Sequence, residues 1–330
     1  MPIGPKETIL SHDYHTAGEP FRIVDIGPMQ GETVLERHSW AIENLDDIRQ
    51  FLVNEPRGHA DMYGGFIVPP DNEKGDIGVV FFHNHGFSTA CGHGTIALAT
   101  WAVDTGKVPT TGTNTPLTID VPSGRLKTEV KLVKNKVVSV NFLNVPSYVT
   151  ATQVVVKTSM GEISIDVSFG GAFYASVDLD NLAISISPGH LEKLRLIAKD
   201  IKIATAGADF AKHRDDVRMS GIYGTIFHEM VNGNPLHQRN VTIFADGQVD
   251  RSPCGSGTSA RLALLHEKQL IKINEKFIHD GIAGGRFLAS IKTETSDGII
   301  TSIEGSAHRY ATTTFHLDPK DPFHLGFLLR

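Results

Sequence analysis

Short runs in which apolar and polar side chains alternate recur along the chain, and most are bounded by glycine, proline or asparagine. A strand with one buried face and one face in water shows this alternation, so each run predicts a strand of an antiparallel or mixed sheet. The predicted strands cover residues 22–26, 65–68, 77–83, 117–121, 137–142, 152–156, 161–167, 172–177, 225–227 and 240–244.

Segments with the helical spacing of apolar residues are fewer, and they cover residues 44–52, 94–105, 188–199 and 257–267. Two of them, 94–105 and 257–267, are rich in small and apolar residues on every side, as a helix enclosed by a sheet must be. The pattern predicts an α+β fold of two pseudo-symmetric lobes. Each lobe is expected to wrap a mostly antiparallel or mixed sheet around one central helix.

The length of 330 residues suits two lobes of about 150 residues each. We expect the first lobe to cover residues 1–130, joined by a C-terminal strand at about 310–330, and the second to cover residues 131–309. The lysine-rich segment 128–136 is the predicted linker between them.

The composition is that of a globular protein, with 40% hydrophobic, 21% charged and 8% aromatic residues. A formal charge of −6 provides no electrostatic footprint for nucleic acid or for an anionic membrane. The first twenty residues contain no signal-peptide core, and no apolar run reaches the eighteen residues that a membrane span requires. We therefore expect a cytoplasmic protein with a small-molecule partner.

The chain contains two cysteines, and both begin the same short phrase. Residues 91–97 read Cys-Gly-His-Gly-Thr-Ile-Ala and residues 254–260 read Cys-Gly-Ser-Gly-Thr-Ser-Ala, so five of seven positions are identical. Each phrase opens a predicted central helix. Hydroxyl side chains near each helix start are suitable caps, and the glycines let the backbone approach a ligand closely.

A thiol at a helix N-terminus has special chemistry because the unpaired amides and the macrodipole favour the thiolate. The sequence therefore predicts lowered pKa values for Cys91 and Cys254. The same amides can bind a substrate carboxylate. Two such thiols facing each other could remove a proton from one side of a carbon and return it on the other. This chemistry is that of a racemase or epimerase, and it requires no metal or organic cofactor if amides hold the developing enediolate.

Other interpretations of the same residues compete with this one. The two cysteines could be small core residues or a redox pair, although redox pairs usually occur as Cys-X-X-Cys. His83, His85, Cys91 and His93 could bind zinc, since alternate residues of a strand point to one face. A non-catalytic amino-acid binding protein would need no thiol at either helix start. Neither glycine-rich turn continues into the Gly-Lys-Ser/Thr of a phosphate loop.

Several motifs along nearly the whole chain resemble the proline racemase superfamily, whose fold is similar to that of diaminopimelate epimerase. The superfamily includes proline racemases, 4-hydroxyproline 2-epimerases and trans-3-hydroxy-L-proline dehydratases. Besides the two cysteine phrases, the motifs are residues 15–20 (His-Thr-Ala-Gly-Glu-Pro), 55–64, 144–147, 169–173 (Phe-Gly-Gly-Ala-Phe), 250–255 (Asp-Arg-Ser-Pro-Cys-Gly) and 321–327.

The resemblance implies a role for each matching residue. Cys91 and Cys254 would be the catalytic acid/base pair. The residue matching Asp250 accepts the ring ammonium, and the residue matching His93 lies beside it. The amides that would hold the carboxylate belong to Gly92, His93, Gly94, Gly255, Ser256 and Gly257.

Substrate selection in the family falls to side chains that match Tyr63, Phe244 and the stretch 83–87, which includes His85. A phenol or imidazole there could hydrogen-bond a hydroxyl on the substrate ring, so the sequence favours 4-hydroxyproline over proline. The dehydratases have threonine in place of the second cysteine. Because this chain has Cys254, Cα inversion is favoured, with proline racemisation and 3-hydroxyproline dehydration as alternatives. The family also suggests a homodimer.

Overall fold

The computed structural model describes residues 8–180, 182 and 184–329. The chain divides into two compact units. The first runs up to Asn141 and takes in the stretch from Ser306 onward, and the second is Phe142–Gly305. Within the described residues, no helix is long and apolar enough to cross a bilayer.

The first unit is a mixed sheet with three helices. Its strands pair mostly antiparallel, and the pairs β2–β3 and β4–β6 are parallel. The C-terminal strand β18 pairs with β1, which explains why the end of the chain belongs to this unit. The elements are β1 (Thr8–Thr16), β2 (Glu19–Val24), α1 (Val34–Asn44), α2 (Asp46–Val53), β3 (Tyr63–Val68), β4 (Ile77–His83), β5 (Gly86–Ser88), α3 (Gly92–Asp104), β6 (Asn114–Val121), β7 (Gly124–Val133), β8 (Lys136–Leu143, which ends inside the second unit) and β18 (Ala307–His316).

Helix α3 is the central element of the first unit. Every residue from Gly92 to Val103 is buried, and the helix packs on β1, β2 and β18. A helix that is apolar on all sides is stable only when it is enclosed, and the surrounding strands provide that enclosure. The start of α3 is therefore held in place by the core of its unit.

The second unit repeats this design with different connections. Its pairs are antiparallel except for β11–β12 and β13–β15. Helix α5 is buried from Gly255 to Leu265 and packs on β9, β10 and β17. The elements are β9 (Tyr148–Thr158), β10 (Gly161–Phe169), β11 (Phe173–Asp178), α4 (Leu191–Ala204), β12 (Ile222–Gly233), β13 (Leu236–Phe244), β14 (Gln248–Asp250), α5 (Gly255–Glu267), β15 (Phe277–Gly281), β16 (Arg286–Thr295) and β17 (Gly298–Gly305), with three short 3-10 helices at Pro188–His190, Asp209–Ala211 and Val217–Met219.

The predicted α+β class and the two enclosed helices are confirmed, and each of the ten predicted strands overlaps an observed one. The predicted helix 44–52 corresponds to α2, which begins two residues later, because Asn44 is the last residue of α1. The sequence missed α1 because Arg37 and His38 occupy two of its buried positions. It missed β1 for a similar reason, since the buried Asp13 of that strand forms an ion pair with Arg22 of β2 at 2.8 Å.

The predicted linker at 128–136 is a β-hairpin instead. Strand β7 runs through Val133, and β8 starts at Lys136 as its neighbour. Lys134 and Asn135 form the turn between them, with φ values of 49° and 60°. Two successive residues with positive φ are typical of the tight turn of a hairpin, so the polar composition marked a turn. The compact units divide between residues 141 and 142, not at 130.

Candidate active site

Cys91 lies at the start of α3 as predicted, but the N-cap is Cys91 itself and not one of the nearby hydroxyl residues. Its backbone is extended, with φ −154° and ψ 98°, and its sulfur accepts a hydrogen bond from the Gly94 amide at 3.3 Å. The first residues of a helix have amides without an intrahelical acceptor, so the sulfur satisfies one of them. Gly92, His93 and Gly94 form the first turn of the helix.

Glycine is required at position 94 by the packing around the thiol. An added Cβ there would lie 2.4 Å from the Phe21 ring and 2.7 Å from the Cys91 sulfur. The loop is also tied to the motif at 15–20, because the Thr16 hydroxyl donates to the His93 carbonyl at 2.9 Å. Two motifs of the resemblance thus support the same helix start.

The His93 ring lies beside the thiol, with its two nitrogens 3.5 and 3.6 Å from the Cys91 sulfur. The ring of Tyr63 packs edge-on against that of His93, with centroids 5.0 Å apart. Tyr63 is buried, and its phenol is hydrogen-bonded to the hydroxyl of Ser88, a residue that the sequence did not single out. The structure therefore groups Tyr63, His93 and Cys91 within the first unit.

His85 is not where the sequence pattern placed it. It lies in the turn between β4 and β5 and is exposed, whereas His83 ends β4 and is buried. The prediction that the two rings share one face of a strand is wrong, because the chain turns between them. Among the described residues, no group of three or more histidine, cysteine or acidic side chains is arranged to hold a metal ion.

Cys254 is the N-cap residue of α5, but its geometry differs from that of Cys91. Its backbone has φ 61° and ψ 99°, a left-handed conformation that is uncommon for a residue with a side chain. The neighbouring Pro253 carbonyl accepts hydrogen bonds from the side-chain amide of Asn240 at 3.1 Å and from the Thr258 hydroxyl at 3.2 Å. These contacts hold the unusual conformation in place.

The Phe-Gly-Gly motif at 169–171 supports the same helix start. A Cβ on Gly170 would lie 2.3 Å from the Ser256 carbonyl oxygen and 2.7 Å from the Ala260 amide nitrogen. The Asn144 side chain donates to the Gly170 carbonyl at 2.8 Å, so the motif at 144–147 fixes this glycine in turn. Close approach of two backbones is the physical reason for glycine at position 170.

Asp250 lies at the end of β14 and is buried, with 4% of its surface exposed. Its carboxylate accepts hydrogen bonds from the Ser252 amide and hydroxyl. The Ser252 hydroxyl also accepts a hydrogen bond from the Cys254 amide at 3.1 Å. Burial raises the pKa of Asp250 to about 6, although the bonds from Ser252 lower it.

The predicted lowering of the thiol pKa is wrong for Cys254. Burial, and next the charge of Asp250, raise the pKa of this thiol to about 12. The Gly257 amide lowers the pKa, as expected at a helix start, but by less than burial raises it. Desolvation thus outweighs the helix terminus, and Cys254 is a protonated thiol at neutral pH.

The sequence missed Tyr174, a fully buried residue of β11. Its phenol oxygen lies 2.7 Å from the Ser256 hydroxyl and 3.8 Å from the Cys254 sulfur. Its ring also packs edge-on against Tyr223, which stacks on Phe244 with centroids 5.6 Å apart. Tyr174 directly follows the Phe-Gly-Gly-Ala-Phe motif, and this position is the sequence signal that could have identified it as a site residue. Phe244 is buried at the end of β13 in the same aromatic group.

Comparison with known proteins identifies the family of this chain. The family model described as proline racemase matches residues 12–328. A trans-3-hydroxy-L-proline dehydratase from Bacillus thuringiensis subsp. konkukian is 41% identical over 323 residues, covering 96% of this chain and 97% of the relative. A 3-hydroxyproline 2-epimerase from Burkholderia multivorans is 38% identical over 325 residues, covering 96% of this chain and 97% of the relative.

Solved structures extend the comparison to the fold. A hydroxyproline epimerase from Agrobacterium vitis, crystallised with bound trans-4-hydroxy-L-proline, has a TM-score of 0.90 and 27% identity, covering 98% of this chain and 95% of that one. A PhzF-family phenazine biosynthesis protein from Bacillus anthracis shares the fold alone, with a TM-score of 0.60 at 15% identity over 93% of this chain and 99% of that one. The resemblance seen in the motifs is confirmed: the chain belongs to the proline racemase family of enzymes.

Proposed function

We propose that this chain inverts the Cα configuration of a hydroxyproline, with Cys91 and Cys254 as the two acid/base groups. The observation that carries the proposal is that each duplicated phrase places its cysteine at the N-cap of a buried helix. One thiolate removes the Cα proton, and the other thiol delivers a proton to the opposite face of the same carbon. The amides of the first helical turns hold the carboxylate as it becomes an enediolate.

The charges near Cys254 suit an ammonium ion in the substrate. Asp250 and Cys254 both have raised pKa values because their anions are buried. A bound ring ammonium would favour the ionised forms of both groups, because an opposite charge offsets the desolvation cost. In this proposal Asp250 receives the ammonium, and Cys254 becomes able to exchange its proton only once the substrate is bound.

The names of the relatives shift the favoured ring position from C4 to C3. The relatives that are 41% and 38% identical are named for 3-hydroxyproline, whereas the protein with bound trans-4-hydroxy-L-proline is 27% identical. We therefore place 2-epimerisation of 3-hydroxyproline ahead of the same reaction on 4-hydroxyproline, which the sequence favoured. The ring-facing roles of Tyr63, Phe244 and His85, a cytoplasmic location and a homodimer stay predictions.

Dehydration of trans-3-hydroxy-L-proline is the second candidate function, and the name of the 41% identical relative favours it. It shares the first step, because removal of the Cα proton leaves a carbanion next to the carbon that bears the hydroxyl. The C–O bond then breaks, a double bond forms between Cα and Cβ, and the hydroxide takes a proton and leaves as water. Cys254 favours epimerisation, since a second thiol can reprotonate Cα before the hydroxide leaves.

The test is to incubate the protein in deuterated water with trans-3-hydroxy-L-proline, trans-4-hydroxy-L-proline and L-proline. Chiral chromatography and proton NMR then follow the epimer, the label at Cα and any pyrroline product. We expect the 3-hydroxy substrate to give its Cα epimer fastest, with label entering the product before the substrate. Equal early label in both pools would indicate one base. Pyrroline as the main product would establish dehydration instead, and no turnover of any of the three would refute both functions.

A further inference from the structure

The two cysteine phrases differ at their third position, which is His93 in the first and Ser256 in the second. His93 contacts the Cys91 sulfur directly through its ring nitrogens. Ser256 is linked to the Cys254 sulfur only through Tyr174. Its hydroxyl is hydrogen-bonded to the Tyr174 phenol, and the phenol oxygen lies 3.8 Å from that sulfur. The third position of each phrase is thus linked to its thiol, directly in the first phrase and through Tyr174 in the second.

The groups around Cys254 differ in what they can offer a sulfur that gains and loses a proton. The Gly257 amide can only donate, so it serves the thiolate. Asp250 when ionised can only accept, and its charge opposes the thiolate. The hydroxyls of Tyr174 and Thr242 can both donate and accept. Of these two hydroxyls, that of Tyr174 is also hydrogen-bonded to a further hydroxyl, that of Ser256.

We propose that Tyr174 and Ser256 form a positioning pair whose hydrogen bonds reverse direction when Cys254 gains or loses its proton. The purpose of this pair rests on the proposed function. When Cys254 is a thiol, its S–H donates to the phenol oxygen, and the phenol O–H donates to Ser256. When Cys254 is a thiolate, both bonds reverse: Ser256 donates to the phenol, and the phenol donates to the sulfur. No proton leaves either hydroxyl, because the reversal requires only rotation of two O–H bonds.

Burial makes this pair effective. Tyr174 is 0% exposed and Ser256 is 3% exposed, so water does not compete readily for either hydroxyl. A hydrogen bond from a buried neutral donor to an ionised acceptor is stronger than the same bond in water. The pair would therefore offset part of the desolvation that disfavours the Cys254 thiolate. Cys91 has an equivalent partner in His93, since a neutral imidazole also offers one donor and one acceptor.

The test measures the ionisation of Cys254 without relying on turnover. The parent protein and the Tyr174→Phe variant are treated with iodoacetamide across a pH series, and peptide mass spectrometry follows Cys254 and Cys91 separately. Loss of the donor should raise the pH at which Cys254 reacts. At a fixed lower pH, its alkylation rate should fall about three- to tenfold. The rate at Cys91 in the same sample should be unchanged.

Tyr148→Phe is the matched control, because it removes the hydroxyl of a tyrosine in the same unit that packs on Phe169 instead. It should leave the Cys254 profile unchanged. If Tyr174→Phe does not fold, Ser256→Ala should shift the profile in the same direction by a smaller amount. An unchanged Cys254 profile in a folded Tyr174→Phe protein, or in Ser256→Ala where that variant replaces it, would overturn the inference.

Failure of the proposed function looks different in the same experiment. If the parent protein turns over no proline-type substrate but the Cys254 profile shifts in Tyr174→Phe, the hydrogen-bonded pair stands and the proposed reaction falls. If the parent protein converts a hydroxyproline but the Cys254 profile is unchanged in a folded Tyr174→Phe protein, the inference falls and the proposed reaction stands.

Discussion

Asp250 accepts two hydrogen bonds from Ser252, one from its amide at 2.8 Å and one from its hydroxyl at 2.7 Å. The same hydroxyl accepts from the Cys254 amide, so a single serine connects the buried carboxylate to the backbone of the thiol. This arrangement links Asp250, at the end of β14, to Cys254, at the start of α5. It also means that the ionisation of Asp250 bears on both the stability of the protein and the state of Cys254.

Replacing Asp250 with asparagine should change how stability depends on pH. Because burial raises the pKa of Asp250 from 3.8 to about 6, the native state keeps a proton that the unfolded state has lost between these values. Stability is thus lost as pH rises through this window, by about 3 kcal/mol in total. Asparagine is nearly isosteric with aspartate and does not titrate, so the Asp250→Asn variant should not show this loss of stability.

Urea unfolding of both proteins at pH 4 and pH 7 measures the effect. The difference in unfolding free energy between variant and parent should move in favour of the variant by about 2.4 kcal/mol over that range, since part of the total is already lost at pH 4. If the two proteins change in parallel with pH, Asp250 titrates normally. The variant should also bind the substrate amine more weakly, which would appear as a raised KM.

Serine in place of either cysteine should abolish epimerisation while the protein stays folded. The Cys91 sulfur already accepts the capping bond from Gly94, and a serine hydroxyl is a preferred acceptor at an N-cap. Each substitution should reduce turnover by about 10²- to 10⁴-fold, the usual contribution of a general acid or base. Initial rates and thermal unfolding, measured on the same samples, separate chemistry from stability. Near-parent turnover by Cys91→Ser or Cys254→Ser would contradict the two-base scheme.

Gly170→Ala should displace the start of α5. The added methyl would overlap the Ser256 carbonyl and the Ala260 amide, and backbone atoms cannot move aside as a flexible side chain can. We expect a loss of about 1–3 kcal/mol in unfolding free energy together with a fall in turnover. Gly189→Ala is the control, because a Cβ at Gly189 meets nothing within 4 Å and its effect should stay within about 0.5 kcal/mol. Equal stability of the two variants would show that the helix start tolerates displacement.

Local patterns were enough to predict ten of the strands, the two enclosed helices and the placement of each cysteine at a helix start, but not β5, β7 or β14 to β17. The alternation of side chains depends only on neighbouring residues, and the duplicated phrase is visible by inspection. Strand β1 escaped because the Asp13–Arg22 ion pair places charges where the pattern expects apolar residues. Tyr174 escaped because its contact with Cys254 joins residues that lie 80 positions apart.

The pKa of Cys254 likewise depends on contacts between distant parts of the chain, which local sequence patterns do not reveal. The helix N-terminus that should lower it is a local feature, and the Gly257 amide does act in that direction. Burial of the sulfur and the proximity of Asp250 are tertiary features, and they reverse the sign of the shift. Sequence therefore predicts where the thiol lies in the fold better than it predicts its charge state.

His279 should make the protein sensitive to acid. Its Nδ1 lies 2.8 Å from the Thr258 hydroxyl in α5, and burial, followed by the charge of Arg261, lowers its pKa to about 3. Below pH 6.5 His279 binds a proton in the unfolded state but not in the native state, so stability is lost as pH falls. His279→Asn keeps a polar atom near Thr258 but does not titrate. Between pH 7 and pH 4.5 the parent should lose about 2.5 kcal/mol more than the variant in urea unfolding. The other titrating groups are common to both proteins and cancel in the difference, so parallel losses would mean that His279 accepts its proton in the folded protein.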